Sequence, residues 1–286
     1  MKRTITLFLA VLCAFALLSC GKAEAPADIA ATTLPVYELT AQLCQGTPLQ
    51  VNRVITENVS CLHDYTLQPG QMKTLETATL TVISGAGLED FMEDTLPKST
   101  VDASAGISLL CGHHDHHDDH DHAQDPHIWL DPENGRTMAK NIYTALCDRY
   151  PEQKDIFALN FEKLNNTFDQ VISYGNTQLA SLRCKELVTF HDGFAYMAEA
   201  YGLHILHSME EESGSEASAR ELIEICTDVT NHDIPAIFTE KNGTDRAATI
   251  VGTETGAKVY TLDTAMSDGY FNALYHNIDT LKEALG

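Results

Sequence analysis

Residues 151–182 read PEQKDIFALNFEKLNNTFDQVISYGNTQLASL. Phe157, Phe161, Leu164, Phe168, Val171 or Ile172, Leu179 and Leu182 recur there at helical spacing. Pro151 suits a first helical turn. A helix over the whole run is about 48 Å long at 1.5 Å per residue, beyond the usual globular helix and long enough to bridge two lobes. Gly175 counts slightly against an unbroken helix. On the N-terminal side, 29–34, 50–56, 80–84 and 100–103 read as strands. Helical patterns cover 36–43, 69–77, 88–96 and 131 to about 150. On the C-terminal side, strands at 187–190, 205–206, 236–239 and 258–262 alternate with helices at 194–201, 216–230, 245–254 and 270–285. The expected fold class is α/β, with two small parallel-sheet lobes (29–150 and 183–286) joined by one long helix (151–182). Two such lobes facing each other leave a cleft at the C-terminal ends of their strands.

Composition narrows the function. The 286 residues carry 18 Lys+Arg against 41 Asp+Glu, a formal net charge of −23. That acidity opposes nucleic-acid binding and polybasic attachment to anionic lipid. A hydrophobic content of 44% opposes wholesale disorder. Lys2 and Arg3 precede an apolar run over 5–18, the length of a signal-peptide core and too short for a comfortable membrane span. The run ends Leu17-Leu18-Ser19-Cys20-Gly21, which resembles the lipobox of bacterial lipoproteins. Residues 1–19 then form a signal peptide, Cys20 is lipidated, and 20–28 is a tether. The expected product is extracytoplasmic and lipid-anchored to the cell membrane. In that compartment Cys44, Cys61, Cys111, Cys147, Cys184 and Cys226 are permitted to pair, with connectivity open, and no C-x-x-C motif is present.

Isolated histidines are the most informative residues. His63 follows the second strand, His127 lies in Asp125-Pro126-His127-Ile128-Trp129-Leu130-Asp131-Pro132, His191 follows the strand ending near Phe190, and Asp263 ends the strand at 258–262. Three imidazoles and one carboxylate suit tetrahedral Zn²⁺. Their separation in sequence by itself favours ordinary surface and capping roles over a metal site.

The wording around them resembles the metal-binding substrate-binding proteins of bacterial ABC transporters, the zinc and manganese uptake receptors. The resemblance covers nearly all of the chain after residue 28. It rests on His63-Asp64-Tyr65…Pro69, Gly85-Ala86-Gly87-Leu88-Glu89, the Asp-Pro-His-Ile-Trp-Leu run at 125–130, His191-Asp192-Gly193-Phe194…Tyr201-Gly202-Leu203 and Phe238-Thr239-Glu240. It implies two four-stranded lobes, a rigid connecting helix, and a cleft lined by His63, His127, His191 and Asp263. It also implies an ABC permease and its ATPase as partners of a monomeric receptor. The final motif departs from the family's Leu-Asp-Pro, reading Leu262-Asp263-Thr264, so Glu240 is an alternative ligand. Cys61 is another, through a thiolate suited to soft metals.

Imidazole favours zinc, whereas carboxylate-rich sets favour manganese, the alternative cargo. Because the ligands must be deprotonated, capture weakens as pH falls through the histidine range. A zinc hydrolase is the rival class. It would need an open position for water, and the chain has neither His-Glu-x-x-His nor Gly-x-Ser-x-Gly. Asp64 and Asp192 read as supporting groups rather than bases. An adhesin is a third class, without a partner motif here. Six of the 13 histidines, His113, His114, His116, His117, His120 and His122, alternate with aspartates in a low-complexity loop. Such a loop is expected to hold zinc loosely, since each ion must immobilise flexible chain, and to gather it near His127; a tolerated surface insertion with incidental metal affinity is the alternative.

Overall fold

The computed structural model describes residues 27–57, 62, 65–111, 124–209 and 218–286. The expected signal segment at 1–19, Cys20, Cys61, His63 and the histidine run at 113–122 lie outside them. The first sheet holds β1 (Ile29–Ala31), β2 (Val51–Arg53), β3 (Leu80–Ile83) and β4 (Thr100–Asp102), all parallel, in the order β2-β1-β3-β4. The second holds β5 (Glu186–Thr189), β6 (His204–Ser208), β7 (Ala236–Glu240) and β8 (Lys258–Leu262), all parallel, in the order β6-β5-β7-β8. In each sheet the order reverses beside the first strand. That switch point opens a crevice at the C-terminal strand ends.

Helices α1 (Leu34–Leu43) and α2 (Pro69–Thr77) connect strands of the first lobe. Helices α3 (Pro132–Arg149) and α4 (Lys154–Leu179) follow it. The second lobe carries α5 (Ala195–Ala200), α6 (Ala219–Asn231), α7 (Arg246–Thr255) and the closing α8 (Tyr270–Leu285). Local chemistry sets these boundaries. β1 is shorter than its apolar run because Pro35 sits in the first turn of α1 and starts the helix early. Asp131 caps α3 by accepting from Glu133 N–H at 2.8 Å, with Pro132 in the first turn.

The long helix is 26 residues, preceded by a 3-10 turn at Pro151–Gln153. It is about 39 Å long at 1.5 Å per residue. Its buried positions are Phe157, Asn160, Leu164, Phe168, Val171, Gly175 and Leu179. Gly175 does not interrupt it. A Cβ there would lie 2.3 Å from the ring of Tyr201, so glycine lets the aromatic ring pack on the helix backbone. Asn160 donates to the carbonyls of Leu43 and Gln45 at 2.9 and 2.8 Å, tying down the end of α1.

The run at 88–96 is not an α-helix but a 3-10 helix at Asp90–Thr95. Gly85, Ala86 and Gly87 all have positive φ, and this turn brings Glu89 back toward β3. Glu89 Oε1 accepts from Thr32 Oγ1 at 2.6 Å and Ser84 N–H at 2.8 Å, while Oε2 accepts from Gly85 N–H at 2.9 Å. Burial outweighs these bonds and pushes its carboxyl up to about 7. The folded chain therefore holds this proton more tightly than the unfolded chain does. The resulting stability is full below the ordinary glutamate range and is lost as pH rises through about 7. Glu89→Gln removes the titration. Urea unfolding near pH 5 and pH 8 is expected to show a smaller stability difference for the variant than for the parent, and equal differences would refute the assignment.

One core runs through both lobes, from Ile29, Val82 and Trp129 through Phe157 and Phe168 to Tyr270, Leu262 and Phe238. A second cluster, including Val188, Ile225, Val229 and Val251, fills the space between the second sheet and α6 and α7. Polar bonds reinforce the junction. Trp129 Nε1 donates to Thr264 O at 2.8 Å, Tyr270 Oη to Trp129 O at 2.8 Å, and Arg53 Nη2 to Met266 O at 2.9 Å. The thiols of Cys44, Cys111, Cys147, Cys184 and Cys226 are free, and burial raises that of Cys44 to about 12. None of the described helices is long and apolar enough to cross a membrane.

Candidate metal centre

His127 and His191 reach one point from different lobes. His191 lies two residues beyond β5. Phe190 N–H still bonds Phe238 O at 2.8 Å, so the chain leaves the sheet just before the imidazole. Ser208 Oγ at the end of β6 donates to Asp192 Oδ1 at 3.0 Å and steadies this loop. His127 lies in the turn before α3. Asp125 Oδ1 accepts from both its backbone N–H and its ring Nδ1, each at 2.8 Å. With the proton on Nδ1, Nε2 keeps its lone pair for a metal.

The two Nε2 atoms face each other at 3.4 Å, with ring planes at 85°. Both residues are buried, at 6% and 3% exposure. Two nitrogens bound to one tetrahedral zinc at 2.0–2.1 Å stand about 3.3 Å apart, so the observed spacing fits an edge of that tetrahedron. Trp129 and Phe194 flank the pair, their ring centroids 5.4 Å from His127 and 5.9 Å from His191. Gly193 makes room for it. A Cβ there would fall 2.7 Å from His191 Nε2 and 3.1 Å from His127 Cε1. Asp125 Oδ2 is buried with no hydrogen-bond partner among the described residues, leaving negative charge for a cation to offset.

Two acids stand at adjacent strand ends. Asp263, 2% exposed, follows β8, and its backbone is fixed on both sides by the Asn277 amide at 2.8 Å. Its Oδ1 accepts from Ala265 N–H at 2.7 Å, and its Oδ2 from Lys241 Nζ at 3.0 Å. Glu240 ends β7 at 3% exposure. It accepts from Thr264 Oγ1 at 3.0 Å and Asn242 N–H at 2.7 Å. Thr264, which stands where the family motif has proline, therefore helps to hold Glu240. Among the described residues, no three His, Cys, Asp or Glu side chains close into a metal-holding group. The structure thus joins His127 to His191 and leaves Asp263 engaged by Lys241, while His63 and Cys61 lie outside the described residues.

Sequence reasoning passed over Asp125, Gly193 and Lys241. The first two adjoin the histidines in their motifs and were legible as a carboxylate and a space-giving residue beside a ligand. Nothing local marks Lys241, whose ammonium meets Asp263 only because β7 and β8 are neighbours.

Known proteins resemble the chain in sequence and in fold. The profile of the family described as "Zinc-uptake complex component A periplasmic" matches residues 29–284. The zinc-binding lipoprotein AdcA of Streptococcus pneumoniae (strain ATCC BAA-255 / R6) is 29% identical over 310 residues, spanning 98% of this chain and 61% of that protein. The high-affinity zinc uptake system protein ZnuA of Bacillus subtilis (strain 168) is 26% identical over 319 residues, spanning 99% and 98%. The crystal structure of the metal-dependent lipoprotein YcdH from Bacillus subtilis aligns with a TM-score of 0.75 at 26% identity, over 90% of this chain and 98% of that one. The chain thus spans about three-fifths of the length of AdcA.

Proposed function

We propose, from the premise that the chain belongs to the periplasmic zinc-uptake component A family, that it captures Zn²⁺ outside the cytoplasm and delivers it to an ABC permease and its ATPase. The observation that carries this reading is the facing pair of imidazole nitrogens, one from each lobe, at the spacing of a zinc tetrahedron's edge. His63 supplies the third imidazole and Asp263 the fourth ligand, with Glu240 as its rival. Four protein ligands leave no position for a reacting water, so the metal is cargo and no catalytic step is assigned. Lipid on Cys20 holds the monomeric receptor at the membrane, and the histidine run at 113–122 gathers ions near the cleft.

Manganese is the competing cargo, and metal content decides between the two. Protein prepared without added metal is expected to carry zinc and to prefer it when both ions are offered. Manganese retained in preference would overturn the assignment. Asp263→Ala is expected to weaken zinc binding by about 100-fold, the loss expected for one of four direct ligands, and Glu240→Ala by much less. The reverse order would make Glu240 the ligand.

A further inference from the structure

Lys241 is unusual in standing where a metal ligand should be free. Its backbone N–H bonds Leu262 O at 2.9 Å, so its side chain starts at the junction of β7 and β8. Its ammonium lies 3.0 Å from Asp263 Oδ2 and also bonds Asp268 Oδ2. The three groups form a gradient of exposure, with side chains 3% exposed at Asp263, 35% at Lys241 and 70% at Asp268. A buried carboxylate needs a cation nearby, and here the chain supplies one. The same segment is held by the first lobe through Trp129 to Thr264 O, Arg53 to Met266 O and Glu38 to Tyr270 N–H.

We propose that Lys241 is an internal stand-in cation that competes with the metal for Asp263 and withdraws to Asp268 when the metal binds. This rests on the reading of Asp263 as a ligand. An ammonium and a divalent ion held by the same carboxylate repel at such range, so a metal on Asp263 weakens the Lys241 contact. Asp268 gives the displaced ammonium a second anionic seat in open solvent, where breaking or keeping an ion pair costs little. Capture thereby exchanges a monovalent for a divalent cation on Asp263, and release reverses it without leaving that buried carboxylate bare. Lys241 is a positioning and affinity-setting residue, not a ligand.

The test is a double-mutant cycle read by zinc affinity in chelator competition and by the rate of zinc loss to excess chelator. Lys241→Met removes the competitor and is expected to tighten zinc about tenfold and slow its loss, one charge–charge contact in a partly screened site being of that order. Lys241→Arg retains the charge and stays near the parent value. Asp268→Asn removes the second seat and weakens zinc several-fold in the parent, with little effect in the Lys241→Met background. Unchanged or weaker binding by Lys241→Met overturns the proposal, as does an Asp268→Asn effect that persists without Lys241. Asp263→Ala separates the two levels. If it leaves zinc affinity intact, the ligand reading fails. If it weakens binding while Lys241→Met does not tighten it, only the stand-in cation fails. Thermal melting of each metal-free variant shows that the fold is retained.

Discussion

Replacing His191 by alanine is expected to lower zinc affinity by about 100-fold, because binding free energies of order 10–16 kcal/mol for structural zinc would be shared among the four proposed ligands. One equal share is about 2.5–4 kcal/mol, close to the roughly 2.7 kcal/mol that corresponds to 100-fold. The loss is specific to binding. His191 is buried, yet its ring nitrogen looks across at His127 rather than into an apolar core, so truncation removes the proposed ligand and only modest packing. Two measurements check this. Chelator competition gives the affinity directly. Thermal unfolding with and without zinc gives it through linkage, since a ligand at 1,000 times its Kd adds about 4.1 kcal/mol of stability. At that zinc concentration the parent is expected to gain the full amount and a variant with 100-fold weaker affinity only about 1.4 kcal/mol. The chain's single tryptophan, Trp129, lies 5.4 Å from the His127 ring and provides a fluorescence signal for the same titration. Zinc binding by His191→Ala within a few-fold of the parent would remove the imidazole pair from the site.

A methyl group added at Gly193 is expected to cost nearly as much without replacing a proposed ligand. Gly193 is not among the positive-φ glycines, so alanine is acceptable to the backbone there. The objection is steric. The new Cβ would stand 2.7 Å from His191 Nε2 and 2.8 Å from its Cδ2, inside any normal contact. It would also crowd His127 Cε1 at 3.1 Å. The rings must part, and the 3.4 Å spacing that suits zinc is lost. Zinc affinity is expected to fall about 10- to 100-fold, comparable to the loss when a supporting group of a metal site is removed. Metal-free stability is expected to fall by about 1–3 kcal/mol, the usual cost of overpacking. Parent-like zinc affinity in Gly193→Ala would mean that the imidazoles can separate and still bind, and that their observed spacing is incidental.

The parts of the fold that were legible carry strong local signals. Helix 69–77 begins at a proline, strand 258–262 is a compact β-prone run, and 270–285 repeats apolar residues on one face. All three appear with the expected bounds. The segment 88–96 misled because its apolar spacing suits a helix. The buried Glu89 instead folds back on Ser84 and Gly85, a contact formed only after the positive-φ turn at 85–87. The lone histidines were legible as candidates because each follows a strand or opens a helix. Spacing alone favoured surface and capping roles, and the family resemblance carried the choice.

The sequence by itself determined the two runs of alternating strand and helix, the long amphipathic connection, the acidity, and His127 and His191 as candidate ligands. These depend on residue type and spacing along the chain, which local periodicity and motif wording expose. Only the tertiary structure decided that two imidazoles 64 positions apart meet at 3.4 Å. It alone placed Lys241 on Asp263 and set Thr264 between Trp129 and Glu240. Those contacts arise where strand ends and lobes converge, and no spacing along the chain encodes the distance between groups carried by different strands.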